Sequence, residues 1–153
     1  MRAVLALLRL AAPAQAWEFT PVPVCTLSHE TADASVTVTW DPRQPEPYAI
    51  RIVRAVPWPD GPVFSIDYAG TRPLTISTSR HRLSDGGTAL TVTDRGFGNV
   101  LDGLEFNATA TAILGEAQAP FPLDGAAEPV RAFRACTEAP VAGAGLPGGL
   151  AAG

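Results

Sequence analysis

The sequence predicts a mainly β chain, an antiparallel β-sandwich with one or two short helices near its C-terminal end. Three observations carry this. Apolar and polar residues alternate with period two through five separate runs between Val36 and Thr93. Turn chemistry separates those runs, as DPRQPEP, PWPDGP, AGTRP and SDGG. After Asp94 the apolar spacing lengthens to that of a helix.

The elements follow in order. Val36, Val38 and Trp40 alternate with Thr37 and Thr39, which places Trp40 in the core. Tyr48, Ile50 and Ile52 alternate with Ala49 and Arg51; Phe64, Ile66 and Tyr68 with Ser65 and Asp67. Leu74 and Ile76 alternate with Thr75 and Ser77; Leu90 and Val92 with Thr91 and Thr93. Short strands at this spacing, each with one polar face, suit two sheets packed face to face. Phe97, Val100, Leu101 and Leu104 then fall on one side of a helix. ATATAIL (108–114) returns to strand chemistry, Gly115-Glu116 turns, and AQAPFPL makes a second strand whose prolines suit a sheet edge. A short helix starting near Asp124 would put Ala126, Val130, Phe133 and Cys136 on one face. TEAPVAGAGLPGGLAAG (137–153) reads as a flexible Gly/Ala/Pro tail.

Residues 1–16, MRAVLALLRLAAPAQA, read as a signal peptide. Arg2 precedes an apolar run, and Ala14-Gln15-Ala16 is a small-x-small cleavage site. The alternative is an N-terminal helix of the domain. With cleavage, a single β-rich domain covers 17–136, starting at Trp17, in the periplasm or outside the cell. No later stretch reaches the ~18 apolar residues of a transmembrane helix. Val22-Pro23-Val24 before Cys25 lacks the small residues that a lipid-anchor site requires.

Every basic residue besides histidine is arginine; the chain has no lysine. The mature chain would keep nine arginines against fifteen acids, a formal charge of 9 − 15 = −6. That disfavours nucleic acid, whose phosphates need a basic footprint, and anionic lipid surfaces as partners; neither is expected. Cys25 and Cys136 are the two cysteines, and in an exported chain such a pair reads as a disulfide joining the N- and C-terminal segments. Two unpaired buried thiols are the alternative.

TDRGFGNVLDGL (93–104) crowds three glycines behind a strand. A Walker-type loop needs a lysine on the phosphates, and there is none. Gly96, Gly98 and Gly103 are spaced G-x-G-x-x-x-x-G, not as the dinucleotide fingerprint, and Asp94, Asp102 and Glu105 would repel an anion. The stretch therefore reads as a strand-to-helix turn, with Gly96 and Gly98 in the turn, Asn99 as N-cap and Phe97 as a plug into the core.

STSRHRLSD (77–85) is the most reactive stretch, holding Arg80, His81 and Arg82 among hydroxyls and Asp85. The leading reading makes these three, with Trp58 in the PWPDGP loop, contact residues for an unknown protein or small ligand. They would act through loops at one end of a non-enzymatic, monomeric sandwich. Trp58 has a second reading, a lid folded over the sandwich end. The alternative function is a small periplasmic hydrolase using His81, with Asp85 or Asp94 as orienter and a nearby serine. Neither metal nor cofactor is expected; a Cys25, His29 and His81 site would need the cysteine reduced.

WEFTPVPVCTLSHE, RPLTISTSRHRLSDGG and LTVTDRGFGNVLDGLEFNATATA resemble a group of short, uncharacterised exported bacterial proteins. Some of these carry the label of the helicase-like component of the ABC excinuclease, a far larger ATPase whose phosphate-binding lysine this chain lacks. In layout over roughly residues 20–136 the chain is also similar to the invasion-associated locus B family. That resemblance implies a periplasmic or envelope β-sandwich.

Overall fold

A computed structural model of the protein describes residues 16–139. The expected signal peptide (1–16) and tail (137–153) lie outside the described residues, apart from Ala16 and 137–139. In chain order the elements are β1 (Glu18–Thr20), β2 (Cys25–Glu30), β3 (Ala34–Trp40), β4 (Tyr48–Arg54) and β5 (Phe64–Gly70). Then come β6 (Leu74–Thr78), β7 (Arg82–Ser84), β8 (Ala89–Asp94), α1 (Gly98–Phe106), β9 (Asn107–Leu114), β10 (Ala117–Pro122) and α2 (Ala127–Glu138).

The strands form two antiparallel sheets, ordered β1-β2-β3-β4-β8-β7 and β10-β9-β5-β6. The mainly β architecture with two late helices is as the sequence predicts. Alternation does the sorting, because successive side chains leave a strand on opposite faces. Leu27, Val38, Ile52 and Leu90 of the six-stranded sheet thus share one core with Phe64, Ile66, Tyr68 and Leu114 of the other. The Pro-containing β10 is an edge strand, as expected. In the SDGG turn between β7 and β8, Asp85, Gly86 and Gly87 all have positive φ. Two glycines make that run of left-handed residues cheap.

Three strands escape the sequence reading, namely β1, β2 and β7. Asn99 is not the N-cap of α1. Phe97 holds that position without a side-chain cap bond, and its ring lies 5.4 Å from that of Tyr48. Packing of the plug, not a cap, sets where this helix begins. α2 starts at Ala127 rather than near Asp124, because Gly125 at positive φ turns the chain and the Ala126 amide donates to the Leu123 carbonyl. The helix also runs two residues past Cys136, into the segment read as tail.

The helices close one end of the sandwich. Val130 and Phe133 of α2 are fully buried, and Phe133 sits 6.4 Å from Tyr48. Arg134 ties the helices together, donating to Asp102 Oδ1 at 2.6 Å and Glu105 Oε1 at 3.1 Å. Cys136 bonds Cys25 at the start of β2, with 6.0 Å between their Cα atoms. On the β1–β10 flank, the Trp17 indole donates to the Pro122 carbonyl at 2.8 Å and stacks on His29.

Gly103 lets α1 approach the sheet. A Cβ there would lie 2.6 Å from the Tyr68 ring, whereas at Gly96 and Gly98 it would meet nothing within 4 Å. Burial also pushes the Tyr68 hydroxyl pKa up, so the ring stays neutral. Gly103→Val should cost about 1–3 kcal/mol by overpacking, more than any gain in helix propensity. Gly96→Ala should be nearly neutral. Denaturant unfolding of the two variants checks this; equal losses would remove the packing role from Gly103.

Candidate functional site: a cleft on the open flank

The β6–β7 connection crosses between the sheets, but β7 is only three residues long. It pairs with Ala89, Leu90 and Thr91, so Val92 to Asp94 of β8 run on beyond it. The four-stranded sheet stops at β6. The space between β6 and the free half of β8 is therefore a cleft of about 470 Å³, within the range of small-ligand sites.

Its composition is layered. The buried lining residues, Ile50, Phe64, Ile66, Phe97 and Val100, are all apolar. Ile76 and Val92 are half-buried at the opening. Ser77, Thr78, Arg80, Asp94 and Asn99 form the polar rim. β4, β5, β6 and β8 send Ile50, Phe64, Ile66, Ile76 and Val92 here, and α1 begins here because Phe97 is packed into the wall.

Charge at the rim is paired. Arg80 bonds Glu46 of the β3–β4 loop, and its other terminal nitrogen lies 3.9 Å from Asp94. Thr93 Oγ1 donates to the second Glu46 oxygen at 2.9 Å. The Arg80 bond, then the Thr93 bond, hold the Glu46 carboxyl below its ordinary pKa, with Arg95 adding a weaker pull. Asp94 Oδ1 accepts from the Arg95 amide at 2.7 Å. The loop carrying Glu46 is itself braced by Asp41, which takes both ends of the Arg43 fork; those bonds pull its carboxyl down to about 2.

The four expected contact residues are not brought together. Arg80 stands on the cleft rim. Arg82 is exposed on β7. Trp58 is a correction to the contact reading: it is 4% exposed, and its indole donates to the Ile52 carbonyl at 3.3 Å. The lid reading describes it, because PWPDGP carries the chain across the sandwich end and drops the ring onto Phe64. His81 turns inward too. Its Nε2 lies 2.9 Å from the Gly61 carbonyl, which only accepts, so Nε2 carries the proton. The basic nitrogen is then Nδ1, buried without a partner among the described residues. Asp85 pairs instead with Arg51, and Asp94 faces Arg80. A serine–histidine–aspartate relay is not assembled around His81.

The sequence reading singled out Phe97 and Arg80 but not the cleft. Ile50, Ile66, Ile76 and Val92 lay on correctly read strands, yet nothing in one strand reveals where its neighbour stops. No family model, curated protein or solved structure matches this chain. Among the described residues no helix is long and apolar enough to cross a membrane.

Proposed function

We propose that this chain is an exported periplasmic or envelope β-domain that binds a small apolar ligand in the flank cleft, without catalysis. The cleft carries the reading: it is open to solvent yet every buried residue lining it is apolar. Water there contacts hydrocarbon, so a ligand that displaces it gains roughly 25 cal/mol per Å² of apolar surface covered. Its concave shape and small volume favour a small molecule over a protein surface as the occupant. Export is supported by the signal-like residues 1–16 and by the Cys25–Cys136 disulfide, a bond suited to an oxidising compartment. Trp17, first residue after the expected cleavage, is buried and hydrogen-bonded as an anchor for a new terminus. The resemblance to short exported bacterial proteins points the same way.

Protein purified from its native compartment should begin at Trp17 and release an apolar molecule on denaturation, near one per chain. N-terminal sequencing and mass spectrometry of an organic extract read both. Met1 retained on cytoplasmic protein would overturn export. Undiminished ligand on an Ile76→Trp variant, whose indole fills the opening, would overturn the site.

A further inference from the structure

We infer that the ligand of this cleft is an uncharged amphiphile, a hydrocarbon body with a single hydroxyl or carbonyl end; the inference rests on the cleft reading above. Two features select it. The first is the floor. Ile50, Phe64, Ile66 and Val100 offer no side-chain hydrogen bond, so any polar group pushed to that depth would lose its water without compensation. The inner end of the ligand must be hydrocarbon, and polarity is confined to the end at the rim.

The second feature is the balance of charge at that rim. Arg80 and Asp94 stand on the rim itself, and just outside it Arg80 bonds Glu46, whose carboxylate also feels the Arg95 charge. Arg80 invites a carboxylate at first sight, but its guanidinium is already engaged by Glu46. A ligand carboxylate would have to share Arg80 with Glu46, which Thr93 also holds, and would stand beside two anions, Glu46 and Asp94. A ligand ammonium would have only Asp94 to approach on the rim, with the Arg80 guanidinium 3.9 Å from that carboxylate. Either ion gives up hydration for a site with no net field to replace it. An uncharged hydroxyl or carbonyl meets no such penalty, and the Thr78 hydroxyl and the Asn99 amide on the rim supply its hydrogen bonds.

The test uses the purified protein and the uncharged fluorophore N-phenyl-1-naphthylamine, displaced by decanol, decanoate or decylammonium at neutral pH. The three competitors share one chain and differ in head charge. Decanol should displace the probe at about tenfold lower concentration than either ion, a difference near 1.4 kcal/mol. Glu46→Gln, which frees Arg80, should narrow the decanol-to-decanoate ratio about tenfold. Decanoate matching decanol on the unaltered protein, or a ratio unmoved by Glu46→Gln, would overturn the uncharged class and leave the cleft reading standing. A probe that does not bind, or binds equally to Ile76→Trp, would overturn the cleft reading and this inference with it.

Discussion

Reducing the Cys25–Cys136 bond should destabilise the fold by about 2–5 kcal/mol and lower its melting temperature by roughly 10–20 °C. The bond spans 111 residues. In the chain-entropy model, closing a loop of ~100 residues contributes about 4.7 kcal/mol by restricting the unfolded chain. It also tethers the last helix to the start of β2, at the end of the sandwich that α1 and α2 close. Val130, Phe133 and the Arg134 ion pairs hold α2 as well, so the reduced chain should still fold at low temperature. Thermal unfolding with and without reductant, beside a Cys25→Ala/Cys136→Ala variant, reads the effect. Coincident curves would leave the bond without its stabilising role. Because α2 reaches Glu138, a truncation meant to spare the domain belongs after Ala139.

Trp58→Ala should cost about 3–5 kcal/mol, the range for truncating a buried large aromatic. The indole sits edge-on to Phe64, 6.3 Å between centroids, with the Arg54 guanidinium 4.9 Å above it. Its backbone amide donates to the Gly87 carbonyl at 2.8 Å, so the lid is stitched to the β7–β8 turn. Truncation removes the ring and its hydrogen bond to Ile52, and opens the core above Phe64. Trp58→Phe keeps most of the packing and should cost only about 1 kcal/mol relative to the unaltered chain. Denaturant unfolding of both variants separates the two contributions. A loss below about 1 kcal/mol for Trp58→Ala would return the residue to the role of a surface contact.

Most of the fold was legible because most strands bury only one face. Val36-Thr37-Val38-Thr39-Trp40 announces its period without help from its partners, and so does Phe64 to Tyr68. β2 has the same alternation, with Cys25, Leu27 and His29 inward, but a cysteine and a histidine at core positions weaken the apolar signal. β1 and β7, at three residues each, are too short to show a period. The inward turn of Trp58 and His81 was harder to read. Both sit in loops whose composition looks solvated; Trp58 is held by Ile52 and by the Gly87 carbonyl, and His81 by the Gly61 carbonyl. The cleft was not legible at all. It exists because β7 is shorter than β8 and one sheet has fewer strands than the other, which are properties of pairing.

The strand order also dictates a sequence of events in time. A chain that emerges N-terminus first completes β1 to β4 as a simple meander of neighbours. The inner face of that meander, Leu27, Val36, Val38, Ile50 and Ile52, then has nothing to lie against. β5 and β6 supply only half of the opposing layer, and β9 and β10 arrive after α1. The clasps come later still, since Trp17 waits for Pro122 and Cys25 for Cys136. Such non-local closure slows folding and leaves sticky intermediates on the way. The nascent chain therefore stays vulnerable to self-association until nearly its last helical turn has been delivered.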